Sequence, residues 1–228
     1  MWEQVILICI IGGLAALDNT EAFQTMFSQP LFVGPLIGLV LGDIAGGLKT
    51  GILFQLIYFW VMPIGTATFP EPGTMSVAGC AGYILLTRFF PDRTNLILFL
   101  LVLLVLLFSL FSGWTLIKQR QLNSRLLPKA DLYAEKVQLK GLNFLFLMAL
   151  GGSFLRGFIV SGLGIFFIYV LVKPSLNVLG FIPERLLQNL ELPLWGLGIG
   201  MMVYLFGRKR NLFWFFLGGV LGIIILLL

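Results

Sequence analysis

Apolar residues in this chain form runs rather than alternating with polar ones, and the runs differ in kind between its two ends. "NLILFLLVLLVLLFSLFSGW", residues 95–114, is almost unbroken and reaches the roughly 20 residues of helix that cross a hydrocarbon core. It lacks the period-two pattern of a transmembrane barrel strand. A second long run, Gly141 to Val172, would span roughly 48 Å as helix, more than a bilayer core. It is expected either to break at Gly151–Gly152 or to begin at the interface. Next comes "KPSLNVLGFIPERLLQNLELP", residues 173–193, in which Pro183 suits the first turn of a short interfacial helix. Apolar segments follow at 194–206 and 211–228.

The first 75 residues read differently. Their apolar runs are short and interrupted by "GG" at 12, "LDNTEAFQ" at 17–24, "GPLIG" at 34 and "LGDIAGGLKTG" at 41–51. A helix over 51–62 then leads into "PIGTATFPEPGT", residues 63–74, which holds three prolines and three threonines. Irregular backbone at membrane depth is tolerated only where protein or a water-filled cavity satisfies it. Broken helices of this kind hold substrate sites in transporters. The expected fold is an all-α integral membrane protein, polytopic, with broken or re-entrant N-terminal hairpins. Residues 1–75 form the hairpin region, and 76–228 form a helical frame with a cytoplasmic basic loop at 118–140.

Composition fits this reading: 59% of residues are hydrophobic, 11% are charged, and mean hydropathy is +1.02. The net charge of +5 sits in short segments beside apolar runs, so it reads as membrane orientation and not as nucleic-acid binding. Segment 118–140 carries four Lys and two Arg against Asp131 and Glu135, and "GRKR" at 207–210 is also basic. Both are placed in the cytoplasm. The N-terminus bears Glu3 and no basic stretch, so its apolar run reads as structure and not as a cleaved signal. Cys9 and Cys80 read as small hydrophobes. The chain has no histidine, no Walker loop and no nucleophile elbow, so neither a metal, a cofactor nor a self-contained enzyme is expected.

One ionisable residue stands out in the long C-terminal runs. Arg156, in "SFLRGFIV", is costly at that depth and calls for a cavity or a carboxylate partner. Asp43 and Glu71 are the candidate partners. Asp43 is read first as a cap for the turn that follows it, with Lys49 or Arg156 as alternative ion-pair partners.

The stretch "PLFVGPLIGLVLGDIAGGLKTGILFQLIYFWVMPIGTATFPEPGTMSVAG", with "AFQ" ahead of "QPL" and a Pro–acid pair near its end, resembles the IIC membrane subunits of the mannose–fructose–sorbose phosphotransferase systems. "SFLRG" and "IPERLLQNLELPLWGLGIGMMVYLF" resemble the same family's C-terminal half. The resemblance implies a multi-pass subunit of the bacterial cytoplasmic (inner) membrane that imports a hexose. It implies a IID-type membrane partner, cytoplasmic IIA and IIB phosphocarriers, and a homo-oligomer of IIC/IID pairs. The family usually has Glu at the position of Gln55, often Asn at Pro63, and typically Asp at Glu71.

A hexose presents hydroxyls and weakly apolar faces, so its pocket needs carboxylates or amides and an aromatic or aliphatic floor. Gln55, Thr66, Thr68 and Glu71 supply that chemistry within 17 residues, beside Phe54, Trp60 and Phe69. Gln24 is the expected contribution from the other hairpin. The alternative function is an orphan membrane scaffold or receptor-like protein that keeps the fold without transport.

Overall fold

The computed structural model describes residues 2–61, 69–182 and 191–207, with isolated positions 186, 189, 213, 217 and 218. Eight α-helices follow one another among them: α1 (Trp2–Thr20), α2 (Pro30–Leu41), α3 (Ile44–Ile57), α4 (Pro72–Phe89), α5 (Thr94–Ser124), α6 (Leu127–Glu135), α7 (Leu139–Val178) and α8 (Glu191–Phe206). Short 3-10 turns at Pro91–Arg93 and Leu179–Phe181 complete the order. No strand occurs among the described residues, and the protein is an all-α membrane protein.

Helix α4 is the axis of the bundle. Fourteen of its 18 residues are buried, and α1, α2, α3, α5 and α7 all pack on it. Small residues make this possible: Gly79 meets Phe54 and Val105, and Gly82 meets Ile168. The core gathers Ile8 of α1, Ile37 of α2, Phe54 of α3, Ile84 of α4, Leu101 of α5 and Ile168 of α7 around it.

Three stretches are long and apolar enough to cross a membrane: Trp2–Asn19, Pro91–Glu135 and Leu139–Phe181. Helices α2 and α3, with 12 and 14 residues, reach only about 18 and 21 Å at the helical rise. They form a tight hairpin in which glycines let the backbones touch. A Cβ on Gly34 would lie 2.3 Å from the Gly47 carbonyl oxygen, and one on Gly47 would lie 2.3 Å from that of Gly34. The turn between them uses Gly42 at φ +77° and Asp43 as a side-chain cap.

Four expectations change. Gly12–Gly13 does not interrupt α1; these glycines seat it against α7, where a Cβ on Gly12 would meet the Ser161 side chain. Gly151–Gly152 does not break α7, which runs 40 residues, about 60 Å. The basic segment 118–140 is largely helical, since α5 continues to Ser124 and α6 follows. Helix α3 ends at Ile57, earlier than the expected 62. At Gly12–Gly13 tertiary packing on α7 outweighs the local cost of glycine in a helix. The expected helix "PERLLQNL" and the segment 211–228 lie mostly outside the described residues.

Candidate functional site

Glu71 stands between Pro70 and Pro72, where the chain enters α4 in an extended conformation. Its backbone N–H donates to the Ser109 carbonyl oxygen at 3.1 Å, fixing the entry against the middle of α5. Its side chain is fully buried. Arg156 of α7 meets it in a two-pronged pair, with Nη1 2.6 Å from Oε2 and Nη2 2.8 Å from Oε1. Ser112 Oγ donates to Oε2 at 2.5 Å, and Thr74 Oγ1 lies 2.7 Å from Ser112 Oγ. With the single Ser112 proton committed to the carboxylate, Thr74 is the donor in that second bond. Arg156 Nη1 also reaches Thr115 Oγ1 at 3.4 Å, while Arg156 Nε is buried without a partner. Fork-to-fork geometry with an added hydroxyl donor is the arrangement that offsets the desolvation of two buried charges.

A second polar group lies next to the first. Asp18, near the end of α1, is buried and holds the connection to α2. Its Oδ1 accepts from the backbone N–H and hydroxyl of Thr25, each at 2.7 Å, and its Oδ2 accepts from Ser28 N–H at 2.8 Å. Between these anchors Phe23, Gln24 and Met26 take φ of +67°, +51° and +65°, a left-handed conformation costing about 1 kcal/mol or more for each non-glycine residue. The three bonds to Asp18 hold the chain in that shape. Gln55, on the last turns of α3, donates from Nε2 to Gln29 Oε1 at 3.1 Å and accepts from Leu31 N–H at 3.3 Å. It thereby serves one of the free N–H groups at the start of α2. The two groups adjoin through Gly73 of α4, where a Cβ would lie 3.1 Å from the Ser28 carbonyl oxygen.

Thus the end of α1, the start of α2, the end of α3 and the start of α4 converge on one polar region. Of the residues expected to bind substrate, Gln55 and Glu71 fall in adjoining groups, and Gln24 is exposed on the connecting loop. Thr66, Thr68 and Pro63 lie outside the described residues. The charge at Arg156 is met by Glu71 and not by Asp43. The Asp43 carboxylate accepts from Gly46 N–H at 2.9 Å and caps α3, where the turn geometry keeps it local. Lys49 pairs with Glu191 of α8 at 2.9 Å, and Trp195 Nε1 donates to the same carboxylate.

Sequence reasoning missed Asp18, Gln29 and the hydroxyls of α5. A signal for the last was present: Ser109, Ser112 and Thr115 recur every third residue in an otherwise apolar helix, which puts them on one side. No group of three or more Cys, Asp or Glu side chains placed to hold a metal occurs among the described residues.

Known proteins share this architecture. A provisionally named N-acetylgalactosamine permease IIC component 2 of Escherichia coli (strain K12) is 33% identical over 89 residues, 39% of this chain and 65% of the relative, just under two thirds of its length. The sorbose-specific EIIC component of Klebsiella pneumoniae is 25% identical over 227 residues, 96% of this chain and 79% of that one. A solved complex of the mannose transporter ManYZ with microcin E492 superposes with a TM-score of 0.64 at 19% identity, over 96% of this chain and 86% of the other, which establishes a common fold. The family model described as "PTS system sorbose-specific iic component" matches residues 2–227, and the chain therefore belongs to this family of phosphotransferase-system IIC membrane permeases.

Proposed function

We propose that this chain is the transport subunit of a sugar phosphotransferase system in the bacterial cytoplasmic membrane. It forms the path of a hexose together with a IID-type membrane subunit, while separate IIA and IIB subunits carry the phosphoryl group. The observation that carries this reading is the convergence of four helix ends on two adjoining polar groups inside an otherwise apolar bundle. Helices α2 and α3 are too short to span a core of about 30 Å and act as a re-entrant hairpin. They bring the Gln29 and Gln55 amides beside the polar side chains that α5 and α7 supply.

The two polar groups take different parts. Both carboxylate oxygens of Glu71 are engaged by Arg156 and Ser112, so Glu71 acts as framework for the path wall. Gln55 and Gln29 are half-buried, and their mutual bond exchanges for bonds to sugar hydroxyls without exposing a charge. Gln24, Thr66 and Thr68 complete the hydroxyl-binding set, and Phe69 and Trp60 offer apolar faces to the ring.

The alternative reading, a membrane scaffold without transport, is favoured by one observation: Gln55 already has both ends of its amide bonded within the chain. Uptake separates the two. Cells carrying this chain with its IID-type partner and the IIA and IIB subunits are expected to accumulate labelled hexose phosphate, and to stop when this chain is omitted. Uptake that persists without this chain, or a folded complex that takes up none of a hexose panel, would favour the scaffold.

A further inference from the structure

Helices α5 and α7 mark the edge of the membrane at different points along their lengths. The apolar stretch of α5 ends at Ile117. There Trp114 stacks on Phe111 at 6.0 Å, and Lys118 Nζ lies 5.8 Å from the Trp114 ring. An exposed tryptophan followed by a lysine is the pairing found at a bilayer–water interface. Gly152 of α7 faces Gln119 of α5, where a Cβ would lie 2.7 Å from the amide nitrogen. The part of α7 before Gly152 therefore projects past that interface. It is nonetheless apolar, with Phe144, Phe146 and Leu147 all exposed.

Helix α6 folds back on this projection, with Tyr133 against Gly141. A shallow groove of about 370 Å³ runs between the two, lined by Leu126, Leu127, Ala130, Leu142 and Phe146 among others. Lys129 lies on α6, and Arg125 and Lys136 lie in the turns that flank it; carried through those turns at 100° per residue, the three fall within about 40° of one another. Asp131 and Glu135 fall about 80–160° away from them on the helix. All three cations are exposed, and none forms an ion pair with a described residue.

We propose that this hairpin is a docking site for anionic phospholipids of the adjacent leaflet. Arg125, Lys129 and Lys136 hold the headgroup phosphates, while the α6–α7 groove and the exposed phenylalanines rest against the headgroup layer, outside the hydrocarbon core. An acidic protein surface would match the cations but leave Phe144, Phe146 and Leu147 in water. An anionic bilayer surface answers both, because interfacial helices bind through buried apolar area and attraction to anionic lipid together. This inference is independent of the sugar path and rests on α5 and α7 crossing a bilayer.

The full chain reconstituted in nanodiscs of phosphatidylcholine, with or without phosphatidylglycerol, tests it. Phosphatidylglycerol is expected to raise the melting temperature of the wild type by several degrees and to appear as retained lipid in native mass spectra. High salt is expected to shrink the shift, since exposed charges are screened. The triple substitution Arg125→Gln, Lys129→Gln, Lys136→Gln is expected to abolish the shift. The charge-preserving Arg125→Lys, Lys129→Arg, Lys136→Arg and the distant Lys173→Gln are expected to keep it. The proposal is overturned if the wild type shows no preference for phosphatidylglycerol or if the triple glutamine variant keeps its shift. Equal loss in Lys173→Gln would overturn it too, as would a charge-preserving variant that folds but loses the shift.

Discussion

The two adjoining polar groups at the centre of this bundle solve the same problem in opposite ways. At Glu71–Arg156 two full charges are sealed from solvent in a two-pronged pair, with Ser112 and Thr74 extending the set and only Arg156 Nε left without a partner. At Gln29–Gln55 two neutral amides share one bond and stay half-buried. Removing one partner from the first strands a buried charge, whereas removing one from the second leaves an amide that water or a hydroxyl can serve. On the proposed function, this difference separates framework from path: the charge pair holds the helices, and the exchangeable amides receive the ligand.

The largest expected effect breaks the sealed group. Arg156→Ala leaves Glu71 uncompensated and is expected to cost about 3–5 kcal/mol, read as loss of folded protein or a large drop in melting temperature in detergent. Glu71→Gln with Arg156→Met removes both charges and is expected to recover much of that loss. A double variant no better than Arg156→Ala would show that the pair is not what couples α4 to α7. Next comes Asp18→Ala, which withdraws three hydrogen bonds from a loop with three left-handed residues and is expected to cost about 2–3 kcal/mol. Asp18→Asn should keep part of the loss at bay, because one oxygen remains an acceptor.

A smaller effect tests the hairpin. Gly34→Ala forces a methyl into the Gly47 carbonyl and is expected to destabilise by about 1–3 kcal/mol. Gly151→Ala, where a Cβ meets nothing within 4 Å, should instead be neutral or stabilising by up to about 1 kcal/mol. Equal melting temperatures for the two variants would count against the tight α2–α3 contact. Smallest is Asp43→Ala, which removes the cap of α3 and is expected to cost about 1 kcal/mol with little change in sugar handling.

The long helices α5 and α7 were legible in the sequence because aliphatic runs of that length admit one solution in lipid. The extent of α7 was less so: glycine is a weak local signal, and Gly157 packed into α1 reads like any other glycine until its neighbour is known. Arg156 announced that it needed a partner, and Asp43 and Glu71 were its two candidates. The choice of Glu71 depended on α4 and α7 lying side by side, which no local pattern encodes. Asp18 and Gln29 were missed because each owes its role to loop geometry, where Asp18 holds Thr25 and Ser28 across seven to ten residues.

The proposed division between framework and path is tested most directly by hexose binding to the purified complex of this chain with the proposed IID-type partner. Wild type would be set beside Gln55→Ala and Asp43→Ala, each first shown to fold. The expected result is a dissociation constant raised at least tenfold, about 1.4 kcal/mol, in Gln55→Ala and unchanged in Asp43→Ala. Affinity in Gln55→Ala equal to the wild type would contradict the account and remove the half-buried amides from the sugar path.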